Sequence, residues 1–257
     1  MKDHPTHPRR ATSLLIGLVV ILCTGALSAP AAIAKPPDNP GSIAPHGQPY
    51  GKSYGDWGAA WWSWAASFPA GADPISAPGG PVVVGGADDQ PNGPVWFLAG
   101  TFSGSVDRSL TVPSDKALFF PLVNYVYWSP EDCSYLELPR CRATDLRHRL
   151  IEEQDQTTNL EVSIEKVGPG PSNEVTYEML DRYSAISKTF TLEIPPGSVF
   201  TGFDYDAGPR YPSVSGGHWM LLAPLAPGSY TIHWGGQPGG INAGAPPQDV
   251  TYHLTVI

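Results

Sequence analysis

The chain has 257 residues, a formal net charge of −9, 15% charged residues and 11% aromatic residues. The aromatic share excludes a disordered polypeptide, because such rings need burial, and the acidity excludes a nucleic-acid partner, which needs clustered Lys and Arg against phosphates. Twenty-eight Gly and 29 Pro in this background point to short strands joined by turns, hence a mainly β fold.

Met1 to Arg10 is polar and carries Lys2, Arg9 and Arg10; Leu14 to Leu27 is an almost unbroken apolar run; Ala32-Ile33-Ala34 then precedes Lys35. That layout predicts a secretory signal peptide over 1–34, cleaved between Ala34 and Lys35. The apolar run, about 14 residues, is shorter than the roughly 20 a membrane helix needs. No later stretch is long and apolar enough either, so the mature chain is expected to have no transmembrane segment and a secreted, extracytoplasmic location. Residues 1–34 hold Lys2, Arg9 and Arg10 against Asp3, which leaves the remaining 223 residues at −11. That length fits one domain. Cys23 falls within the signal, and the large Leu22 before it argues against a lipid anchor. The other two cysteines, Cys133 and Cys141, are expected to form a disulfide.

Residues 35–50 are rich in Pro and Gly and lack periodicity, so they read as a flexible tether to one domain over 51–257. Ser53-Tyr54-Gly55-Asp56 has the pattern of a capping box. Tyr54, Trp57, Trp61, Trp64 and Phe68 then recur every three or four residues, which predicts a helix with one aromatic face, stopped by Pro69. Short apolar runs at 82–84, 94–99, 106–112 and 117–123 read as strands. The last is apolar on both faces and is expected to be central. Thr144 to Gln154 reads as a second helix with Leu146, Leu150 and Ile151 inward. Strands are expected again at 160–166, 174–180, 189–194 and 218–223. The final pair alternates: Tyr230, Ile232 and Trp234 against Thr231 and His233, then Val250, Tyr252, Leu254 and Val256 against Thr251, His253 and Thr255.

The stretches GDWGAAWWSWAASFPA, GPVWFLAGTF, SLTVPSDKALFFPLVN, HWMLLAPLAPGSYTIHWGG and DVTYHLTVI resemble a family of uncharacterised secreted bacterial proteins. The resemblance runs from about Tyr50 to Ile257. It implies an exported single-domain β-sandwich and supplies no catalytic residues.

The candidate sites therefore come from residue chemistry. The aromatic helix reads mainly as core, but Trp62 lies about 100° around the helix from Trp61 and is expected to be partly exposed, free to meet a sugar ring or a protein partner. Gly51-Lys52-Ser53-Tyr54-Gly55 matches the nucleophile-elbow spelling, yet no strand precedes it, so Ser53 reads as a helix cap. His233 and His253 share the polar face of two strands; if those strands pair, both rings are within reach of one metal, with His218 or a carboxylate completing the set. Asp88-Asp89 and Asp204-Tyr205-Asp206 offer oxygen ligands for calcium. Glu152, Glu153 and Asp155 read as the wet face of the second helix. The expected fold is a mainly β, antiparallel sandwich, jelly-roll-like, with two packed helices. The expected role is a secreted, non-enzymatic module without a cofactor, binding an envelope glycan or a protein through residues such as Trp62, His233 and His253. The alternative is a metal-assisted extracellular hydrolase that uses zinc or calcium at His233 and His253.

Overall fold

The computed structural model describes residues 41–82, 85–102, 104–169 and 173–257. The expected signal peptide, its Ala34–Lys35 junction and part of the strand expected at 82–84 lie outside them. In chain order, helix α1 (Tyr54–Ala66) is followed by β1 (Gly80–Pro81), β2 (Val95–Phe97), β3 (Ser105–Val112) and β4 (Ala117–Trp128). The single helical turn α2 (Asp132–Tyr135) and helix α3 (Ala143–Asp155) come next. Then come β5 (Thr158–Val167), β6 (Val175–Thr176), β7 (Ser184–Ile186), β8 (Phe190–Ile194) and β9 (Gly208–Leu222), and the chain closes with β10 (Gly228–Gln237) and β11 (Gln248–Val256).

The strands form two packed sheets, so the fold is the mainly β sandwich that the sequence pattern indicates. One sheet has the order β1-β3-β11-β10-β5-β6; the other has β2-β4-β9-β7, with β8 also on β9. Not every ladder is antiparallel: β1 with β3, β3 with β11, and β2 with β4 run parallel. Phe120 of β4 reaches across to Trp234 of β10, ring centroids 4.5 Å apart, and Trp234 stacks on Tyr252 of β11 at 5.4 Å. These rings join the two sheets.

Helix α1 starts where the sequence places it. Ser53 caps it by accepting from the Asp56 N–H at 3.1 Å, while the Asp56 carboxylate turns to Lys188, 3.4 Å away. The helix lies flat on the second sheet because Gly55 and Gly58 remove the side chains at the contact. A Cβ at Gly55 would sit 2.1 Å from the Ile186 carbonyl, and one at Gly58 would sit 2.8 Å from the Trp219 ring. Of the expected tether, residues 41–50 are described, and 41–43 lie beside β9: the Ile43 N–H donates to the Leu221 carbonyl at 2.8 Å and the Ala223 N–H to the Gly41 carbonyl at 2.8 Å.

Helix α3 covers the other face of β9, where Gly216 lets Leu150 approach. Its start is closed by Asp145, whose carboxylate accepts from the Arg142 N–H at 3.0 Å. A register shift in the β4–β9 ladder between Pro121 and Val123 resets which side chains face α3. Val123, Tyr125 and Tyr127 then pack with Leu136, Leu146 and Leu150 in a second, smaller core.

Candidate functional site

Strand β2 is short. It accompanies β4 only as far as Phe97 opposite Phe119, so among the described residues no strand pairs with that edge of β4 further along. The second half of β4 is Asn124-Tyr125-Val126-Tyr127-Trp128. It forms the floor of an open cleft of about 460 Å³. A smaller lobe of about 140 Å³ continues it past Asn124 and Tyr125 toward Gln248.

Several segments bring their rings to this floor. Helix α1 contributes Trp62, α2 contributes Asp132 and Tyr135, and the 3-10 turn Val199–Phe203 with its successor contributes Phe200, Phe203 and Tyr205. Phe102 closes the rim from the β2–β3 connection. Nine of the thirteen lining residues of the wide lobe are aromatic and one is acidic, and among the described residues neither lobe is lined by a Lys, Arg or His. Three of the rings stand open at the rim: Phe203 is 56% exposed, Tyr135 50% and Phe102 45%. Rings of this size cost free energy when left in water, so their grouping at one cleft makes it the candidate contact surface.

Trp62 is 4% exposed, which corrects its expected partial exposure: Phe200 covers it, ring centroids 6.1 Å apart. It still differs from its neighbours on α1. The indole N–H groups of Trp57, Trp61 and Trp64 each donate to a backbone carbonyl at 2.9 Å. Among the described residues the N–H of Trp62 has no acceptor; the same holds for Trp96, Trp128, Trp219 and Trp234, and of these five Trp62 and Trp128 line the wide lobe.

Asp132 is the chemical singularity of the wall. It opens α2 directly before Cys133, where the Cys133–Cys141 disulfide begins its loop, and is 3% exposed. Its carboxylate accepts from the Trp128 N–H at 2.7 Å and from the Tyr205 hydroxyl at 3.0 Å. Burial pushes its pKa up from 3.8 to about 6, against the opposing pull of those two hydrogen bonds. Burial, then the charge of Asp132, pushes the Tyr205 phenol up, so it stays a donor. Behind the wall, the Tyr135 hydroxyl donates to Asn242 Oδ1 at 2.9 Å, and Asn242 Nδ2 donates to the Tyr127 hydroxyl at 2.7 Å and to Glu153 Oε2 at 3.3 Å. Glu153 is buried, not on a wet face: Gly240 leaves room for its carboxylate, where a Cβ would fall 2.5 Å away. The Ile241 N–H donates to it at 3.2 Å. It holds the 238–246 segment against the cleft.

Comparison of the chain with protein families, with curated proteins and with solved structures returned no match. The site is therefore read from its own geometry.

That geometry does not gather the histidines. β10 and β11 do pair, but His233 stands opposite Thr251 and His253 opposite Thr231. Each ring bonds its own aspartate: His233 Nε2 is 3.0 Å from Asp249 Oδ1, and His253 Nε2 is 3.2 Å from Asp107 Oδ2. The hydrogen bond from His233 holds the Asp249 carboxyl below the usual range. Both pairs lie on the outer face of the first sheet, away from the cleft. His218 belongs to the other sheet, on β9, buried, with its pKa lowered to about 4 by desolvation. Among the described residues, no three His, Cys, Asp or Glu side chains converge as ligands. Asp89 instead accepts from the Gly85 N–H at 3.0 Å as part of a turn. Among the described residues no helix is long and apolar enough to cross a membrane.

Proposed function

We propose that this protein is an extracytoplasmic, non-enzymatic binding module, exported by a signal peptide over 1–34, and that its aromatic cleft takes a glycan of the cell envelope. The observation that carries this is the wall itself, nine rings around a floor with hydroxyl, amide and carboxyl groups. Sugar rings present apolar C–H faces that stack on aromatics, and hydroxyls that need hydrogen-bonding partners. The two connected lobes suit an extended oligosaccharide. The Cys133–Cys141 clip agrees with an oxidising compartment.

Calorimetric titration with β-1,4-linked N-acetylglucosamine oligomers, alongside other neutral envelope oligosaccharides, tests the reading. Binding is expected, and Phe203→Ala and Tyr135→Ala, both at exposed rings, are expected to weaken it at least fivefold. No binding by any oligosaccharide, or full affinity in both variants, overturns it. A second reading is favoured by the open edge of β4: an extended peptide of a protein partner adds a strand there. A peptide that binds while every oligosaccharide fails decides for that reading.

A further inference from the structure

We propose that the wide lobe selects a saccharide bearing a positively charged ammonium group, seated beside the carboxylate of Asp132 among the rings of Trp128, Phe200 and Tyr205. This rests on the glycan reading and adds the charge of the ligand to it.

The first argument is the sign of the wall. A cleft built for anions places Lys or Arg at its surface; both lobes have none, and the wide lobe has one carboxylate. The second is ring geometry. Trp128 meets Tyr205 at 4.7 Å between centroids with planes at 70°, and meets Phe200 at 5.5 Å with planes at 89°. Rings set at such angles make a corner, and the negative face of an aromatic ring attracts a cation within about 6 Å. The third is the local charge balance. The groups facing Asp132 are the Trp128 amide and Tyr205 hydroxyl as donors, with Glu131, Arg210 and Tyr135 nearby. Arg210 does not line the cleft. Its Nε lies 3.1 Å from Glu131 Oε1 and its Nη2 donates to the Asp206 carbonyl, so its charge is already matched. Among the described residues no cation forms an ion pair with Asp132; Arg210 acts on it only at a distance. An incoming ammonium supplies the missing partner, while a neutral sugar does not.

Two β-1,4-linked glucosamine oligomers of equal length test this: one N-acetylated and neutral, the other N-trimethylated and permanently charged. At about pH 8 the charged oligomer is expected to bind about tenfold tighter. That preference should shrink as pH falls below about 6, where the free protein protonates Asp132. Asp132→Asn should erase the preference. Should that variant not fold, the pH profile of the unmodified protein decides. Equal affinity for the two oligomers at about pH 8 overturns the ammonium site and leaves the glycan reading standing. Failure of both oligomers overturns the ammonium site, and the glycan reading falls with it when the other envelope oligosaccharides fail too. A preference that survives Asp132→Asn, or that does not respond to pH, overturns the assignment to Asp132.

Discussion

Replacing Asp132 by Asn removes a charge that the fold buries at a cost. A carboxyl raised from 3.8 to about 6 by burial stabilises the fold in its protonated form; that contribution is complete below about pH 3.8 and is lost as pH rises through about 6. The rise corresponds to roughly 3 kcal/mol, and at 3% exposure solvent screening does little to reduce it. An amide keeps an acceptor for the Trp128 N–H and offers its own N–H to the Tyr205 oxygen, so the hydrogen bonds survive in modified form. Urea unfolding of the wild type and of Asp132→Asn, at about pH 4 and about pH 7.5, measures the effect. The stability difference between the two proteins should move by roughly 2 kcal/mol, since part of the contribution is already lost at about pH 4, with the variant gaining on the wild type at the higher pH. Other titrating groups cancel in that comparison, provided they do not couple to the site. A difference that stays flat to within about 0.5 kcal/mol between the two pH values would refute the burial argument.

His218 acts in the opposite sense: its neutral form is buried and its pKa lowered to about 4, so stability is lost as pH falls from about 6.5 toward 4, and His218→Gln should narrow that acid loss in the same urea measurement. Gly55→Ala would help an isolated helix by about 1 kcal/mol, yet here the new Cβ meets the Ile186 carbonyl, and thermal unfolding should show a net loss of at least about 2 kcal/mol. Reducing the Cys133–Cys141 disulfide frees a nine-residue loop and should cost about 2.5 kcal/mol in the chain-entropy description. Because Cys133 follows Asp132 directly and ties down α2, ligand affinity should fall in the same titration. Unchanged affinity after reduction would separate the disulfide from the site.

Much of the sandwich was legible because burial imposes a period. The alternation from Tyr230 to Trp234 and from Val250 to Val256 marks β10 and β11, and the two-sided apolar run at 117–123 marks the central strand β4. The helix at Ser53 was legible from its cap and its aromatic spacing. What escaped was set by partners distant in the chain. β9 begins at Gly208, well before the expected 218, because its Gly- and Pro-rich first half is held as a strand by β8 and β4. The parallel placement of β3 beside β11 follows from packing between residues about 140 positions apart and leaves no local signature.

The histidine pair shows the opposite error. Strand pairing was anticipated, but one aspartate beside each ring satisfies it separately. The cleft leaves a trace in the sequence: Asn124 to Tyr135 gathers Tyr125, Tyr127, Trp128 and Tyr135 around Asp132, which stands next to the first cysteine of the loop. Phe200, Phe203 and Tyr205 could not be joined to that trace from the sequence, since only the folded turn after β8 brings them across. Glu153 looked like a wet-face residue because the 238–246 segment that buries it lies almost ninety residues away.

The central claim is that ligand enters between α2, the end of β4 and the turn at 199–203. Amide and indole resonances of the isotope-labelled protein, followed by NMR during titration with the glucosamine oligomers, test it most directly. The account predicts saturable shifts at the indole N–H groups of Trp62 and Trp128 and at the backbone of Phe203. Shifts confined to His233, His253 and the outer face of β10 and β11, with both indoles unmoved, would contradict it.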